Sequence, residues 1–396
     1  MKLKTANRLK NMDGGSMIDL LKATQIPEMI SFAGGFPAPE LFPSEEMAEV
    51  SKKILKEMPH IALQYSGAEG YLPLRKHFAC RMEKKVNRRV STEEILITCG
   101  SQQGLDFVAK AMINPGDTII CESPTYLGAI NAFRAYEPSF VEIPTDEHGM
   151  ILSELEKALA VCGNMKFIYV NPDFQNPSGR SWSLERRKGL IELAKKYDTL
   201  IVEDNPYGEL YFQGSELPSI KSMDDGRHVI FLGTLSKILC PGYRLGWIYA
   251  CEELIQIFKT IKQAADLQSS TISQIEVCAY FDAYDIESHI SSIKKVYSHR
   301  KNVMIDAMKK YFPKGVTYTN PKGGLFTWVT LPENIDAAVL QTEKAIPRKV
   351  AFVPGESFYP NGKIKNNFRL NFSCMPDGKI VEGIRLLGEA ITEYME

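Results

Sequence analysis

Short apolar runs alternate with amphipathic segments along the first two thirds of the chain. A short apolar run bounded by turn residues is typical of a buried strand, and apolar residues three and four apart are typical of a helix. The segment after Gly100 is of the second kind, since Leu105, Val108 and Met112 share one helix face. The pattern predicts seven strands with helices between them, at 95–99, 118–121, 140–143, 166–171, 199–204, 228–233 and 245–250.

Strands that alternate with helices indicate an α/β fold, in which a mostly parallel sheet is covered by helices on both faces. The pattern changes beyond residue 252, where long helical segments come first and short strands follow them. This change predicts a second, smaller α+β unit. Its expected elements are helices over 252–284 and 287–311, a hairpin over 314–331, strands over 350–355 and 367–373, and a C-terminal helix from Asp377.

A length of 396 residues also favours two domains, because a single core of this size is uncommon. We predict an N-terminal arm over 1–43 that packs with the small domain, a large domain over 44–284 and a small domain over 285–396. The arm is expected to hold one short helix, from Ser16 to about Thr24.

Polar residues ahead of helical segments predict where several helices begin. Ser44 is expected to cap one helix, with Glu45 and Glu46 favouring its first turn. The runs Ser91–Glu94 and Ser153–Glu156 both fit a capping box, in which the first and last side chains each bond the other's backbone.

Composition narrows the class of protein. The formal net charge is −1, which gives no reason to expect a nucleic acid or an anionic membrane surface as a partner. Eight cysteines include no Cys-x-x-Cys pair and six histidines show no metal-type spacing, so we expect neither a disulfide framework nor a bound metal. Reduced thiols in a cytoplasm are the expected state of these cysteines. The basic start of the chain is followed by no apolar core of signal-peptide length, and no apolar stretch is long enough to span a bilayer.

Lys237 is the first candidate for chemistry. It follows the predicted buried strand 228–233, and burial disfavours the ammonium form of a lysine and frees the amine. A free amine reacts with an aldehyde, while the neighbouring Thr234, Ser236 and Arg244 suit a phosphate. Pyridoxal phosphate carries both groups, so the stretch points to that cofactor. Taken alone, an ordinary surface lysine is the commoner explanation of a Ser-Lys pair.

A second anion site is predicted where a strand runs into a helix. The free N–H groups at a helix start bind anions, so a phosphate would lie on Ser101 and Gln102. A plain strand-to-helix turn explains the same residues. Ligands of parallel sheets bind at the carboxyl ends of strands, and further polar side chains follow such ends. These are Tyr126, Asn176, Asp204 and Tyr207.

Together these residues supply each contact that pyridoxal phosphate needs from a protein. Lys237 would hold the aldehyde, and Asp204 would pair with the ring nitrogen. Tyr126 would support the ring face, and Asn176 and Tyr207 would donate hydrogen bonds to the phenolic oxygen. The phosphate would be bound by Ser101, Gln102, Thr234, Ser236 and Arg244.

Several of these residues also have an ordinary alternative. Asp204 fits a helix cap, Asn176 a turn residue and Tyr126 a core residue, and Arg244 fits a surface charge. Their joint occurrence on strand ends favours the cofactor, because agreement among independent sites is stronger than any one of them.

A set of short motifs is spread along the chain: Ser31-Phe-Ala-Gly-Gly-Phe-Pro, Leu63-Gln-Tyr-Ser, Gly100-Ser-Gln-Gln, Gln175-Asn-Pro-x-Gly, Glu203-Asp-x-x-Tyr, Ser236-Lys, Pro241-Gly-x-Arg-Leu-Gly, Pro321-x-Gly-Gly-x-Phe and Asn367-Phe-Arg-Leu. As a set they resemble the fold-type I, class I and II aminotransferases, which use pyridoxal phosphate. The resemblance runs from about Ser31 to the C-terminus, and the chain looks closest to the branch with 2-aminoadipate and kynurenine aminotransferases. It implies an enzyme that moves the amino group of an α-amino acid to a 2-oxo acid such as 2-oxoglutarate.

The resemblance implies further roles for residues at matching positions. Arg369 would bind the substrate α-carboxylate through both arms of its guanidinium, with Asn176 and the backbone of Gly35 beside it. Lys237 would move the α-proton, as a base and then as an acid. Tyr65 would reach the phosphate of a neighbouring subunit, which implies a homodimer with shared active sites.

One position departs from the family pattern and bears on the substrate. Members that prefer acidic side chains carry an arginine in the N-terminal helix, whereas this chain has Ile18. We therefore expect aromatic or large aliphatic amino donors, in a pocket framed by apolar and aromatic residues. The expected framing residues are Phe36, Tyr65, Tyr71, Tyr126 and Phe358.

Three alternatives are open at this point. Arg8 or a lysine of the arm could fold into the pocket and favour 2-aminoadipate or aspartate. A C–S lyase on the same fold would use the same cofactor contacts. A regulator that senses the cofactor would carry a DNA-binding module, and no basic helix-turn-helix segment precedes Ser31.

Overall fold

The computed structural model describes residues 3–11, 28–362 and 364–396, so the predicted helix at Ser16 and the position of Ile18 lie outside the described residues. The strands are β1 (Ile30–Ser31), β2 (Ile95–Thr98), β3 (Thr118–Ser123), β4 (Ser139–Asp146), β5 (Gly149–Met150), β6 (Met165–Val170), β7 (Leu200–Asp204), β8 (Val229–Thr234), β9 (Gly246–Tyr249), β10 (Thr317–Tyr318), β11 (Phe326–Thr330), β12 (Val350–Ala351), β13 (Val353–Pro354) and β14 (Asn367–Asn371). The helices are α1 (Ser44–Glu57), α2 (Pro59–Ala62), α3 (Leu72–Val86), α4 (Ser101–Met112), α5 (Leu127–Arg134), α6 (Leu152–Val161), α7 (Leu184–Lys196), α8 (Glu252–Ala265), α9 (Thr271–Ala283), α10 (Ile286–Tyr311), α11 (Ala337–Leu340) and α12 (Asp377–Met395).

One large sheet organises the first part of the chain, with strand order β2-β9-β8-β7-β6-β3-β4-β5. The five strands from β8 to β4 in this order run parallel, and β9 is antiparallel to both of its neighbours. All seven predicted strands are present. The short β5 is an addition that pairs antiparallel with β4, and its two residues are too few to show a period. The predicted α/β fold with a mostly parallel sheet is confirmed.

Helices cover both faces of this sheet. On one face, the buried residues Leu105, Phe133 and Phe258 bring α4, α5 and α8 onto the strands. On the other face, the buried Leu155 and Leu190 bring α6 and α7 onto them. The middle of each strand is apolar because helices cover both faces of the sheet. The buried carboxylates of β3 and β7 lie instead near the carboxyl ends of those strands.

The predicted helix starts are partly right. Ser91 and Glu94 form the expected capping box, although it caps a single 3-10 turn before β2 and not a full helix. Ser44 is the first residue of α1, and Pro43 holds the cap position without a side-chain hydrogen bond. The cap predicted at Ser44 is therefore wrong by one residue, because the ring of Pro43 already fixes the entry into the helix.

The capping box predicted at Ser153–Glu156 is wrong. Helix α6 begins at Leu152, and Ile151 precedes it without any side-chain cap. The side chain of Leu152 packs directly on Gly189 of α7, a contact that a Cβ on Gly189 would block. The first residue of α6 is therefore determined by packing against α7, which a capping motif in the sequence does not predict.

The helix predicted over 252–284 is two helices, α8 and α9. Leu267, between them, has φ of +65°, in the left-handed region where helices end. The hydroxyl of Ser270 accepts the N–H of Ser273 and caps α9. The apolar period continues across the break, so the periodicity alone predicts one helix.

The C-terminal part of the chain forms its own antiparallel sheet, in the order β10-β11-β14-β13. The predicted hairpin is present, with Tyr318 of β10 opposite Val329 of β11. Helix α10 packs along the C-terminal helix α12, and the arm strand β1 pairs with β12 through Ile30 and Val350. The predicted α+β unit is confirmed, whereas the boundaries after 43 and 284 stay predictions.

Candidate active site

The carboxyl ends of the parallel strands border a cavity of about 310 Å³. Strands β2, β7 and β8 end at it, and the segments that follow β3 and β6 contribute to its wall. Gly100, Asn171 and Pro206 line it without having been predicted. The predicted residues that line it are Gly35, Ser101, Gln102, Tyr126, Asn176, Asp204, Tyr207, Thr234, Ser236, Lys237, Arg244 and Arg369.

The start of helix α4 forms one side of the cavity. Gly100 precedes the helix with φ of +73°, and a Cβ there would lie 2.8 Å from Nη2 of Arg244. Glycine therefore lets the guanidinium approach the first N–H groups of the helix, at Ser101 and Gln102. A helix N-terminus beside a guanidinium is a site for an anion such as a phosphate.

Hydroxyl groups from the loop after β8 lie in the same cavity. Thr234 Oγ1 lies 3.0 Å from Ser236 Oγ and accepts the N–H of Ser236 at 3.2 Å. Across the cavity wall, the side-chain amide of Gln102 donates to the carbonyl of Gly128 at 2.7 Å, which holds Gln102 against α5. These hydroxyls add neutral hydrogen-bonding groups to the anion site.

Asp204 ends strand β7 with its carboxylate buried. Its Oδ2 accepts a hydrogen bond from the Tyr169 hydroxyl at 2.9 Å, whereas the buried Oδ1 has no partner within the described part of the chain. Burial disfavours the ionised form and raises the pKa of Asp204 to about 7. Because a buried, unpaired carboxylate oxygen is costly, this position favours a ligand that brings a donor or a positive charge.

Lys237 lies in the turn that follows β8. Its Nζ donates a hydrogen bond to the carbonyl of Gly35 at 2.7 Å. Burial, with the positive charges of Arg369 and Arg244, lowers the pKa of Lys237 to about 8. In a fraction of the molecules Lys237 is therefore a neutral amine at neutral pH, and this is the form that acts as a nucleophile or a base.

Arg369 reaches the cavity from β14 of the second sheet. Its Nη1 donates to Asn176 Oδ1 at 2.7 Å, and its Nη2 donates to the carbonyl of Ala33 at 2.6 Å. The guanidinium lies 4.2 Å from the centre of the Phe326 ring, and its buried Nε has no partner among the described residues. Burial lowers the pKa of Arg369 to about 10. A buried guanidinium held only by neutral groups favours an anionic ligand.

Two phenols, of Tyr126 and Tyr207, complete the cavity. Burial, and then the charge of Asp204, raises the pKa of Tyr126 to about 12. Burial, and then Tyr126, also raises the pKa of Tyr207, whose hydroxyl accepts from Asn176 Nδ2 at 3.4 Å. Both phenols are therefore protonated at neutral pH and can donate hydrogen bonds to a ligand.

Positive charge predominates in this cavity. Lys237, Arg244 and Arg369 line it, and Asp204 is the one carboxylate among the described lining residues. Such an excess of cations favours a ligand, or a pair of ligands, with more than one anionic group. A phosphate at the α4 end and a carboxylate at Arg369 meet this requirement.

Asn171 also lines the cavity, although no sequence pattern had marked it. Its Oδ1 accepts the N–H of Asn176 at 2.8 Å, and its Nδ2 donates to the carbonyl of Asp204 at 2.6 Å. Its own N–H donates to the buried carboxylate of Glu122 at 2.8 Å. Asn171 thus joins two predicted site residues. Its place after β6 was an available signal, but an asparagine before proline is also typical of a turn.

Tyr65 does not line the cavity of its own chain, and it is 78% exposed to solvent. Arg8 is exposed and does not line it either. Of the residues expected to frame a substrate pocket, Phe36 is exposed, and Phe358 lies against the guanidinium of Arg369, outside the cavity. Within one chain, Tyr126 is the member of the expected frame that lines this cavity, Tyr71 lies outside its lining, and the aromatic frame stays a prediction.

A mostly parallel α/β sheet, with an amine, a buried carboxylate and an anion-binding helix start at its strand ends, defines a fold-type I enzyme that uses pyridoxal phosphate. The chain belongs to the family of class I and II aminotransferases, whose pattern matches residues 28–387. The predicted family and cofactor are confirmed, and the protein is a pyridoxal phosphate-dependent transaminase acting on amino acids and 2-oxo acids.

Named relatives agree with this assignment. An aromatic-amino-acid aminotransferase of Thermococcus litoralis is 44% identical over 389 residues, which is 97% of this chain and 93% of the relative. The Pyrococcus horikoshii kynurenine aminotransferase, solved with PMP, is 40% identical with a TM-score of 0.94, covering 99% of this chain and 98% of the other. LysN, the α-aminoadipate aminotransferase of Thermus thermophilus, was solved with N-(5'-phosphopyridoxyl)-L-leucine. It is 38% identical with a TM-score of 0.92, over 99% and 98% of the two chains.

Among the residues described, no helix combines the length and the hydrophobicity that a membrane crossing requires.

Proposed function

We propose that this transaminase takes the amino group of aromatic or large aliphatic amino acids and passes it to a 2-oxo acid such as 2-oxoglutarate. One observation carries the proposal: Lys237, Asp204 and Arg369 line a single cavity. Arg244 is the one further cation among the described residues that line it. The three relatives named above are aminotransferases, which favours amino transfer over a C–S lyase reaction.

The residues of the cavity fit pyridoxal phosphate on two independent observations. The buried Asp204 Oδ1 has no protein partner in the described chain, which suits the protonated ring nitrogen. The N-terminus of α4 lies beside Arg244, which suits the phosphate. In the proposed assignment Lys237 binds the aldehyde carbon. The remaining contacts are Ser101, Gln102, Thr234, Ser236 and Arg244 for the phosphate, Asn176 and Tyr207 for the phenolic oxygen, and Tyr126 for the ring face.

Pyridoxal phosphate, when bound, supplies an electron-withdrawing ring that stabilises negative charge at the substrate α-carbon. Asp204 holds the proton on the ring nitrogen, because a positive partner lowers the pKa of a carboxyl that burial alone has raised to about 7. The hydrogen bond from Tyr169 to Oδ2 fixes the orientation of the carboxylate and leaves Oδ1 for the ring.

Lys237 moves the α-proton in the proposed mechanism. The amine of Lys237 would accept the substrate α-proton as a base and return it as an acid. A pKa of about 8 lies close to neutral pH, and a general base and acid is most effective when its pKa is near the pH of the reaction. The same positive charges that depress this pKa, on Arg369 and Arg244, are offset when the substrate carboxylate and the phosphate are bound.

Arg369 is the proposed binding site for the substrate α-carboxylate. Its guanidinium is already oriented by Asn176 and the carbonyl of Ala33, so little side-chain entropy is lost on binding. The Phe326 ring beneath it excludes water from one face. A carboxylate here gains two charge-assisted hydrogen bonds at a buried site.

The proposed substrate class follows from how the cations are used. Lys237, Arg244 and Arg369 each have a proposed role, and no further cation lines the cavity among the described residues. A second carboxylate on a donor side chain would therefore lose its hydration without gaining a partner among the described residues. The distal carboxylate of 2-oxoglutarate meets the same cost, so this acceptor requires an arm cation or a water molecule at that position. The leucine adduct of LysN and the aromatic relative support apolar donors, whereas the name of LysN, an α-aminoadipate aminotransferase, supports 2-aminoadipate as the alternative donor.

This substrate class predicts a clear order of donors. With 2-oxoglutarate held constant, the kcat/KM for phenylalanine and leucine is expected to exceed that for 2-aminoadipate and aspartate by about tenfold or more, because burying a large apolar side chain is worth roughly 1.5–3 kcal/mol. Initial rates of 2-oxo acid formation from each donor measure this directly. A higher kcat/KM for 2-aminoadipate or aspartate than for both apolar donors would overturn the substrate class while leaving amino transfer intact.

We also propose a homodimer in which Tyr65 of each subunit contacts the phosphate site of the other. Tyr65 and Leu63 are 78% and 69% exposed, and Ile61 close by is 43% exposed, a run of exposed apolar residues that favours contact with a partner. The glycine-rich loop after Tyr65 is anchored to its own chain, since Gln274 accepts the N–H of Tyr71 at 2.7 Å.

Subunit complementation tests the shared site. Tyr65→Ala is expected to weaken phosphate binding and activity, and Lys237→Ala to remove activity. When Tyr65→Ala is mixed with excess Lys237→Ala, each mixed dimer contains one site with both Lys237 and Tyr65, so the activity per Tyr65→Ala chain returns towards that of the unaltered enzyme. A double variant, Lys237→Ala with Tyr65→Ala, is the control and restores nothing. Absence of recovery in proven mixed dimers would show that Tyr65 does not serve the partner.

A further inference from the structure

Three side chains of types that commonly bind transition metals meet between helices α3 and α9, away from the cavity of the active site. They are His77 of α3 and Cys278 and Asp282 of α9, and their potential ligand atoms all lie within 4.8 Å of one another. His77 Nε2 is 2.9 Å from Asp282 Oδ1, and Cys278 Sγ is 3.9 Å from Asp282 Oδ2. Around a tetrahedral Zn²⁺ ion the ligand atoms lie about 3.3–3.8 Å apart, so small side-chain movements would bring these three groups to that spacing.

The helices place these groups by their own geometry. Cys278 and Asp282 are four residues apart, so they lie one above the other on the same face of α9. His77 faces them from α3, and its ring packs edge-on against Phe281 with 5.6 Å between the ring centres. This packing restricts the orientation of the imidazole, which is what a metal-binding histidine requires.

The chemistry of the set selects a particular class of metal. One imidazole nitrogen, one thiolate and one carboxylate match the ligands of Zn²⁺ and exclude the all-oxygen sites of Ca²⁺ and Mg²⁺. Three protein ligands leave a fourth position for water. Cys278 is buried, whereas Asp282 is exposed, so the metal would reach the site from solvent on the carboxylate side.

A second cluster in the chain shows what distinguishes this one. Asp224, Asp225 and His228 also lie within reach of a common ion. There, however, Asp224 is paired with Lys221 Nζ at 2.9 Å, so its charge is already used, and the cluster has no thiol. Among the described residues, Asp282 has no lysine or arginine in ion-pair range, and its contacts are His77 and Cys278.

We propose that His77, Cys278 and Asp282 form a zinc site that links helix α3 to helix α9. On binding, the S–H bond of Cys278 is broken, the proton passes to solvent and a sulfur–zinc bond forms. Zinc binds a thiolate and not a thiol, which is why this proton is released. The spacing of 201 positions between His77 and Cys278 explains why sequence spacing gave no metal signal.

The purified holoenzyme and zinc alone are sufficient for the test. The protein is incubated with a slight excess of Zn²⁺, desalted, and its zinc content measured by elemental analysis. We expect one zinc per chain, together with a higher thermal midpoint than the metal-free protein. A sulfur-to-metal charge-transfer band in the ultraviolet, on replacing Zn²⁺ by Cd²⁺, would report the thiolate bond, and pyridoxal phosphate absorbs at longer wavelength.

Matched variants separate this site from incidental binding. Cys278→Ser and the exposed Asp282→Asn are expected to lose the zinc and the rise in thermal midpoint, and Asp282→Asn keeps the test valid if Cys278→Ser folds poorly. Cys80→Ser removes an exposed thiol on the same helix as His77 and is expected to retain one zinc per chain. His228→Gln is the corresponding control for the second cluster.

Three outcomes would overturn the proposal. They are loss of zinc from Cys80→Ser or His228→Gln, retention of zinc by Asp282→Asn, and the absence of zinc from the unaltered protein.

Discussion

Lys237→Ala is expected to lower transaminase activity by about 10⁴-fold or more, since it removes both the nucleophile and the general base in one change. It should also remove the covalent link between pyridoxal phosphate and the protein that borohydride reduction makes permanent. The measurements are the turnover number and the mass of the reduced, denatured chain. Lys301→Ala is the matched control, because Lys301 is a buried lysine with a lowered pKa whose side chain lies outside the cavity.

The pH dependence of cofactor attachment gives an independent readout for the same lysine. The neutral amine attacks the aldehyde, and its fraction rises with pH until the pKa has been passed. With a pKa of about 8 for Lys237, the attachment rate to the cofactor-free protein should rise up to about pH 8 and level off above it. A rate that is still climbing tenfold per pH unit above pH 9, or a reduced cofactor mapped to another lysine, would contradict the assignment.

Asp204→Asn is expected to reduce turnover by about 10²–10³-fold or more, because it removes the negative charge that holds a proton on the ring nitrogen. The substitution keeps the size of the side chain, so the strand β7 and its packing stay in place. Tyr169→Phe is the graded control: it removes the hydrogen bond to Oδ2 but keeps the charge, and should cost about tenfold at most, the value of one such bond. Near-normal turnover in Asp204→Asn would exclude the proposed pairing.

The same variant should make the cofactor-free protein more stable, which is opposite in sign to its effect on activity. The carboxyl of Asp204 has a pKa of about 7 in the folded protein and near 4 in the unfolded chain. The folded protein therefore loses stability as the pH rises between these two values. Asparagine has no such loss, so the free energy of unfolding of cofactor-free Asp204→Asn should exceed that of the unaltered protein by about 4 kcal/mol at pH 8. Urea unfolding at pH 8 and near pH 4 measures this, and the difference should vanish near pH 4. An equal difference at both values would mean that Asp204 is not the titrating group.

The large sheet and the cofactor end of the site could be predicted because they follow local rules. Strand length, helical period and the shared edge of parallel strands together place Ser101, Asp204 and Lys237 near one another. No knowledge of long-range packing is needed for this step. The break between α8 and α9 was missed because it depends on the backbone of Leu267, which the apolar pattern does not record.

The substrate end of the site depends on contacts that local rules do not describe. Arg369 lies on a different sheet, and its role was accessible through family resemblance alone. Asn171 acquires its importance from three hydrogen bonds to segments that are distant in the chain. Phe358 was expected in the pocket wall but lies against the Arg369 guanidinium, because β14 and the turn before it bring both side chains together. Side-chain direction at a junction of two sheets requires the assembled structure.

The hydrogen bond from Arg369 to the carbonyl of Ala33 spans 336 positions of the chain, and it has a consequence for biosynthesis. A ribosome releases Ala33 early and Arg369 near the end, whereas the proposed phosphate and amine residues, from Ser101 to Arg244, all emerge in between. Since the earlier part of a chain folds first, the segment around Ala33 must wait for β14 while the cofactor end is already assembling. A nascent chain therefore acquires the groups for pyridoxal phosphate before it can recognise any amino acid, and a product that stops short of β14 lacks the carboxylate site altogether.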